Sequence, residues 1–216
     1  MDITWFGRSC VRLQSSQATV LTDPFNPLPP AALVGVHVVT LSDRSRRDEL
    51  LDVPGARVIE GPGEYEVRGI PVSGVALNLS SDVVNAGDAV VAERGRRKTF
   101  VYTVTLDGIA ICHLGRLPEL PAGAGLQEIG QADVLLIPLG EPEGLSAARA
   151  VQIASQLEAK LLVPLTLGGP NDASALETFC RELGADPSAV TARVSVTATA
   201  LAAGTRVALL AQQGST

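Results

Sequence analysis

Histidine is almost missing from this chain: its 216 residues include two, His37 and His113. A transition-metal centre needs about three or four converging nitrogen, sulfur or carboxylate ligands per ion. Two imidazoles cannot furnish a histidine-rich binuclear site in any register. Aromatic residues make up 3% of the chain, too few for interleaved stacking on nucleic-acid bases. The formal net charge of −6 also argues against nucleic acid and against anionic membranes. Cysteine is scarce as well. Cys10, Cys112 and Cys180 show no paired spacing, which fits small, buried, reduced thiols in a cytoplasm better than a disulfide framework. No apolar run approaches the ~18 residues of a membrane span. The opening "MDITWFGRSC" has no basic stretch followed by an apolar one, so no signal peptide is expected. No Gly-x-Ser-x-Gly elbow occurs, which weakens any case for a serine nucleophile of that type.

With few aromatics, the core must come from Val, Leu, Ile and Ala. In the first half these residues follow a strand pattern. "DITWF", "CVRLQS" and "ATVLTDPF" predict three strands, the last stopped by Asp23-Pro24. "GVHVVTL" is a continuous apolar run, as expected of a strand covered on both faces, and "ARVIEG" follows it. "GEYEVRGIPVSGVAL" predicts a hairpin turning at Arg68-Gly69, and "TFVYTVTLDGIAICHLG" one turning at Asp107-Gly108. In the second half, "ADVLLIPLG" and "AKLLVPLTLG" predict short buried strands. Between them Ala147, Ala150, Val151, Ala154 and Leu157 recur at helical spacing behind Ser146, a predicted N-cap. A second helix is predicted from Asn171 or Asp172, with Ala173, Leu176, Phe179, Cys180 and Leu183 on its apolar face and Gly184 at its C-cap. "ARVSVTAT" and "RVALLAQ" predict closing strands. Without repeat, linker or charged tail, residues 1–216 are expected to form one domain, an α/β (α+β) arrangement of two sheets enclosed by helices.

Six segments, in order, resemble the metallo-β-lactamase fold, and within it the small bacterial ascorbate-6-phosphate-lactonase-like Zn-dependent hydrolases. They are "ITWFGRSCVRL", "VLTDPF", "GPGEYEVRGIPVSGV", "DGIAICHLGRL", "ADVLLIPLG" and "LLVPLTLG". The resemblance implies an αββα sandwich of two mixed β-sheets flanked by helices, with the active site at the edge the sheets share. It also implies one or two zinc or manganese ions that acidify a bound water and polarise the substrate.

The positions that would hold those ions carry other residues. In "VVTLSDRSRRDE", Thr40 matches the family pattern Thr-His-x-His-x-Asp-His. Its histidines fall on Leu41, Asp43 and Arg46, and its aspartate on Ser45. The family's bridging aspartate falls on Arg116, its last histidine on Thr166, and the histidine of its Gly-His-Ser opening on Arg8. No metal site or cofactor is expected. The zinc or manganese of the family is not supported by these residues. An all-carboxylate cation site from Asp23, Asp43, Asp48 and Glu64 is the residual alternative.

Arginine in place of metal ligands has two readings. Guanidinium groups could pair with Asp23 and Asp43 in a structural network, or they could outnumber their partners and form a pocket for a small anionic ligand. The expected binding residues are Arg8, Asp23, Asp43, Arg46, Arg116 and Thr166, and Arg44 and Arg47 are neighbours of undetermined direction. The expected function is a degenerate, non-catalytic family member acting as a ligand-binding or interaction module. The alternative is a hydrolase of lactonase or phosphodiesterase type with an altered or metal-independent mechanism. Its candidates are Ser9, Cys10, Ser42, Ser45 and Cys112, with His113 as the imidazole. A Cys112–His113 pair is disfavoured, because adjacent strand residues point to opposite faces. A third class is a subunit supporting an active homologue. The basic run "RGRRK" at 94–98 is read as a solvated loop, and His37 as a core or edge residue.

Overall fold

The computed structural model describes residues 1–79, 98–119 and 125–214. Period-two alternation at the start folds into β1 (Asp2–Gly7) and β2 (Cys10–Gln14), followed by β3 (Thr19–Thr22). A single helical turn, α1 (Pro30–Leu33), leads to β4 (Val38–Thr40). A 3₁₀ turn over Arg44–Glu49 precedes β5 (Arg57–Ile59). The two predicted hairpins form as β6 (Gly63–Val67) with β7 (Ile70–Asn78), and β8 (Lys98–Leu106) with β9 (Ile109–His113). Their turns place Arg68-Gly69 at φ 54° and 75°, and Asp107-Gly108 at φ 52° and 74°. Two successive positive φ values match the right-handed twist of the strands they join.

The second half alternates: α2 (Gly125–Ile129), β10 (Val134–Leu139), α3 (Ala147–Gln156), β11 (Leu161–Thr166) and α4 (Asp172–Glu182). It closes with β12 (Val190–Thr191), β13 (Val194–Ser195), α5 (Ala198–Leu201), β14 (Arg206–Val207) and β15 (Leu209–Leu210).

Two of the sequence expectations fail here. "ARVSVTAT" is not one strand. Its ladder with β1 holds only at Ser195 and Val194 opposite Asp2 and Ile3. Thr197 then accepts a hydrogen bond from Ala200 N (3.2 Å) and caps α5, so side-chain capping overrides strand propensity once pairing ends. "RVALLAQ" divides at Ala208, with β14 pairing to β11 and β15 to β12. The helix starts are where they were expected, yet neither Ser146 nor Asn171 makes a side-chain capping bond. Asp172 instead accepts from Gly168 N (2.7 Å) and Gly169 N (2.9 Å).

Among the described residues, one sheet runs β13-β1-β2-β3-β4-β5 and a second runs β14-β11-β10-β9-β8-β7-β6. Both are mixed. β3, β4 and β5 are mutually parallel, as are β9, β10, β11 and β14, beside antiparallel hairpins. Alternate residues face inward to one shared core: Ile3, Val11, Leu13, Val20 and Val38 from the first sheet against Val72, Tyr102, Val104, Ile111, Leu136 and Val163 from the second. The opposite face of the second sheet, including Val101, Cys112, Leu135 and Leu162, is covered by Ala150, Ile153 and Ala154 of α3 and Phe179 of α4. The outer face of the first sheet, through Phe6, Leu21 and Val39, packs on Ala32 and Val36. This is the helix-flanked pair of mixed sheets expected from the sequence. Among the described residues no helix is long and apolar enough to cross a membrane.

Candidate functional site

In parallel sheets, function collects beyond the carboxyl ends of the strands. Here β3 ends before Asp23, β4 before Leu41–Asp43, β9 before Leu114–Arg116, and the β1–β2 turn carries Arg8 and Ser9. All four meet at a cleft of about 360 Å³, its open mouth included. Its lining holds Arg8, Asp23, Asp43, Arg46 and Arg116, five of the six residues expected from the sequence. Thr166, the sixth, ends β11 half-buried and is not among the residues lining the cleft. Ser9, Phe25, Glu49 and Leu50 line it too.

Ser42 is the hub. Its N–H and hydroxyl both donate to Asp23, at 2.6 Å each. Its carbonyl accepts from Phe100 N (2.7 Å) and Thr99 Oγ1 (3.3 Å), tying the end of β4 to β8 in the opposite sheet. Tyr102 adds a second tie, donating from its hydroxyl to the Leu41 carbonyl (3.2 Å). Asp43 begins the 3₁₀ turn, and its Oδ1 accepts from Ser45 N (2.9 Å) and Ser45 Oγ (2.6 Å). Both carboxylates are thus fixed by local donors.

The arginines divide by direction. Arg46 pairs with Glu49, three residues on in the same turn, and Arg116 pairs with Glu143 in the loop after β10. Arg8 is exposed, and its guanidinium lies over the Phe25 ring, 5.0 Å from the centroid. Arg44 stacks on Phe100 at 5.3 Å and Arg47 pairs with Glu60, so both point away from the cleft. Glu143 carried no sequence signal, because it meets Arg116 only through the fold. Glu49 was legible in principle, from its i,i+3 spacing to Arg46.

The other candidates lie elsewhere. Asp48 is exposed, and Glu64 accepts from Ser73 Oγ (2.7 Å) on the β6–β7 hairpin. His37 accepts from Thr19 N at Nδ1 (3.1 Å), a structural contact. The cysteines are free and buried. Burial pushes the Cys112 thiol up to about 12 and raises Cys10 well above its ordinary value, Asp23 adding to the latter. Neither thiol ionises near neutrality. Cys112 packs on the helix-covered face of β9, opposite His113, as alternation requires. Of the basic run at 94–98, only Lys98 falls within the described residues.

His113 is 1% exposed and sits between the sheets beneath the cleft. Burial lowers its pKa, partly opposed by the nearby Asp23 charge and the Ser9 carbonyl. That carbonyl lies close without meeting hydrogen-bond geometry, and neither ring nitrogen has a partner among the described residues. A buried neutral imidazole gives a signed pH effect. Below the unfolded-chain pKa of about 6.5, the unfolded chain takes up a proton that the folded chain resists. Stability should therefore fall as pH drops from about 6.5 towards the lowered folded value, and this group should contribute nothing above that window. His113→Leu should abolish this fall and raise stability by about 1 kcal/mol at pH 8, by removing unsatisfied polar atoms. Denaturant titrations of both proteins at pH 8 and 5.5 check it: the wild-type deficit must grow on acidification.

The metal implied by the resemblance can be tested against these donors. Among the described residues, no three His, Cys, Asp or Glu side chains are grouped to hold an ion. Asp23 accepts from Ser42 at both oxygens, Asp43 accepts from Ser45, and guanidinium groups share the lining. This donor set does not fit zinc or manganese.

Comparison with known proteins closes the identification. Residues 2–166 match the beta-lactamase superfamily domain. A UPF0173 protein of Pyrococcus abyssi is 24% identical over 193 residues, covering 85% of this chain and 90% of its own. A UPF0173 metal-dependent hydrolase of Methanoregula boonei is 22% identical over 183 residues, covering 76% and 81%. Among solved structures, a Thermotoga maritima protein named as a Zn-dependent hydrolase of the metallo-beta-lactamase superfamily superposes with a TM-score of 0.73 at 27% identity, over 97% of each chain. With the family domain spanning most of its length and the fold superposing over 97% of the chain, this chain belongs to the metallo-β-lactamase superfamily.

Proposed function

We propose that this chain is a non-catalytic member of a family of metal-dependent hydrolases, and that its cleft binds a small anionic ligand. One observation carries the reading: the cleft at the strand ends is lined by three arginines, Arg8 and the glutamate-paired Arg46 and Arg116, around carboxylates already bonded to serines. Guanidinium groups stay charged and bind oxyanions in a fork. Metal-independent hydrolysis would need an activated nucleophile and a base. The Cys10 and Cys112 thiols are held protonated by burial, and the imidazole of His113 is sealed from the cleft. The names of the relatives favour the alternative of a working hydrolase, which the same experiments address.

Elemental analysis of purified protein should find no stoichiometric zinc or manganese, and calorimetric titration with inorganic phosphate should show saturable binding. Arg116→Ala should weaken that binding about tenfold or more, the scale of one charged hydrogen-bonding partner. One equivalent of metal bound at the cleft would overturn the reading. So would turnover of lactones or phosphodiesters, or the absence of any heat at millimolar phosphate.

A further inference from the structure

We propose that the ligand of this cleft is an organic anion with a short apolar tail, a phosphate or carboxylate head on Arg8 and Ser9 and a tail against Pro24, Leu41 and Leu50. The proposal rests on the reading of the cleft as an anion site and specifies which residues grip and what they select.

Arg8 differs from the other arginines of the lining. Arg46 and Arg116 are each matched by a glutamate, whereas Arg8 makes no ion pair among the described residues. Its partner is the face of Phe25. A guanidinium held over a ring can still donate its N–H groups to an oxyanion. The backbone also favours a role for this side chain. Arg8 sits at φ 47°, a left-handed conformation that glycine adopts without penalty and a side chain resists. The Trp5 indole N–H donates to the Arg8 carbonyl (2.8 Å) and holds the turn. Strain kept at a non-glycine residue that lines a cleft points to a use for its side chain.

Ser9 supplies the second donor. It is 3% exposed, lines the cleft, and its hydroxyl makes no hydrogen bond among the described residues. The hydroxyl is not one of the sealed, unpartnered side-chain atoms, so it can donate into the cleft to an anionic head at the Arg8 fork. The tail follows from the apolar part of the lining: Pro24, Leu41 and Leu50 all line the cleft, Phe25 bridges Leu50, and Leu51 N donates to the Pro24 carbonyl (3.3 Å). Inorganic phosphate would leave that wall wet, whereas each methylene laid on it is removed from water.

Calorimetry with inorganic phosphate, n-butyl phosphate and butyrate tests this on the wild type and on Arg8→Gly, Ser9→Ala and Leu50→Ala. Thermal melts confirm that each variant is folded. Butyl phosphate or butyrate should bind on the order of tenfold tighter than inorganic phosphate. Arg8→Gly should weaken every ligand about tenfold, Ser9→Ala several-fold, and Leu50→Ala should erase only the advantage of the butyl group. Butyrate outbinding butyl phosphate would assign a carboxylate head, and the reverse a phosphate. If phosphate binds and is lost in Arg116→Ala, but Arg8→Gly has no effect or the butyl chain adds nothing, this inference falls and the anion-site reading stands. If no ligand binds at millimolar concentration, both fall.

Discussion

Gly115→Ala is expected to cost about 3 kcal/mol of stability, as the sum of left-handed strain and overpacking. Gly115 lies at φ 63° two residues past β9, and a Cβ there would stand 2.4 Å from Ser42 Cβ, 2.8 Å from Ser42 Oγ and 3.2 Å from the Phe100 carbonyl. Ser42 cannot retreat cheaply. Its amide and hydroxyl are bonded to Asp23 and its carbonyl to Phe100 N, so any shift breaks the bridge between the two sheets. Gly108→Ala separates the two contributions. Gly108 has φ 74° with nothing within 4 Å of its Cβ position, so only the strain of about 1 kcal/mol remains. Urea midpoints of the two variants measure the difference. A Gly115→Ala loss no larger than that of Gly108→Ala would mean that the floor of the cleft yields, contrary to the rigid hub described here.

Much of this architecture could be read before any coordinates, and the reasons are local. The hairpins were legible because Arg68-Gly69 and Asp107-Gly108 are turn chemistry flanked by alternating residues. The two long helices were legible because their apolar faces repeat at helical spacing, as in Ala147, Ala150 and Ala154. What escaped was short or non-local. A helical turn such as Pro30–Leu33 is below the length at which periodicity speaks, and the 3₁₀ turn over Arg44–Glu49 read as an irregular polar run. The membership of the cleft was mostly legible, five residues of six, because strand ends in a recognised order fix where loops meet. The pairing inside it was not. Beyond the i,i+3 spacing of Arg46 and Glu49, nothing in the sequence places Arg8 on Phe25 or Arg116 on Glu143. The sheltering of Asp23 by Ser42 depends on a parallel β3–β4 register, which joins positions 19 residues apart.

That sheltering leads to the second large effect. Asp23→Ala should destabilise the protein by about 3 kcal/mol, because it removes the acceptor of two charge-assisted hydrogen bonds and leaves the Ser42 amide unpaired at a buried strand end. Asp23→Asn should recover most of this loss. Its carbonyl oxygen can accept from the Ser42 amide, its NH₂ can donate to the Ser42 hydroxyl, and asparagine tolerates the φ of 40° at this position. The Asn variant then isolates charge from structure. Asp23 makes no ion pair with an arginine among the described residues, so neutralising it removes repulsion from an incoming anion. Phosphate should bind several-fold tighter to Asp23→Asn than to the wild type, in a salt-dependent manner. A stable Asp23→Asn protein that binds phosphate more weakly would mean that the carboxylate helps to organise the anion site. Loss of stability equal to that of Asp23→Ala would mean instead that the negative charge itself holds the surrounding guanidinium groups in place, so that the cleft is an ion-pair network with no room for a ligand.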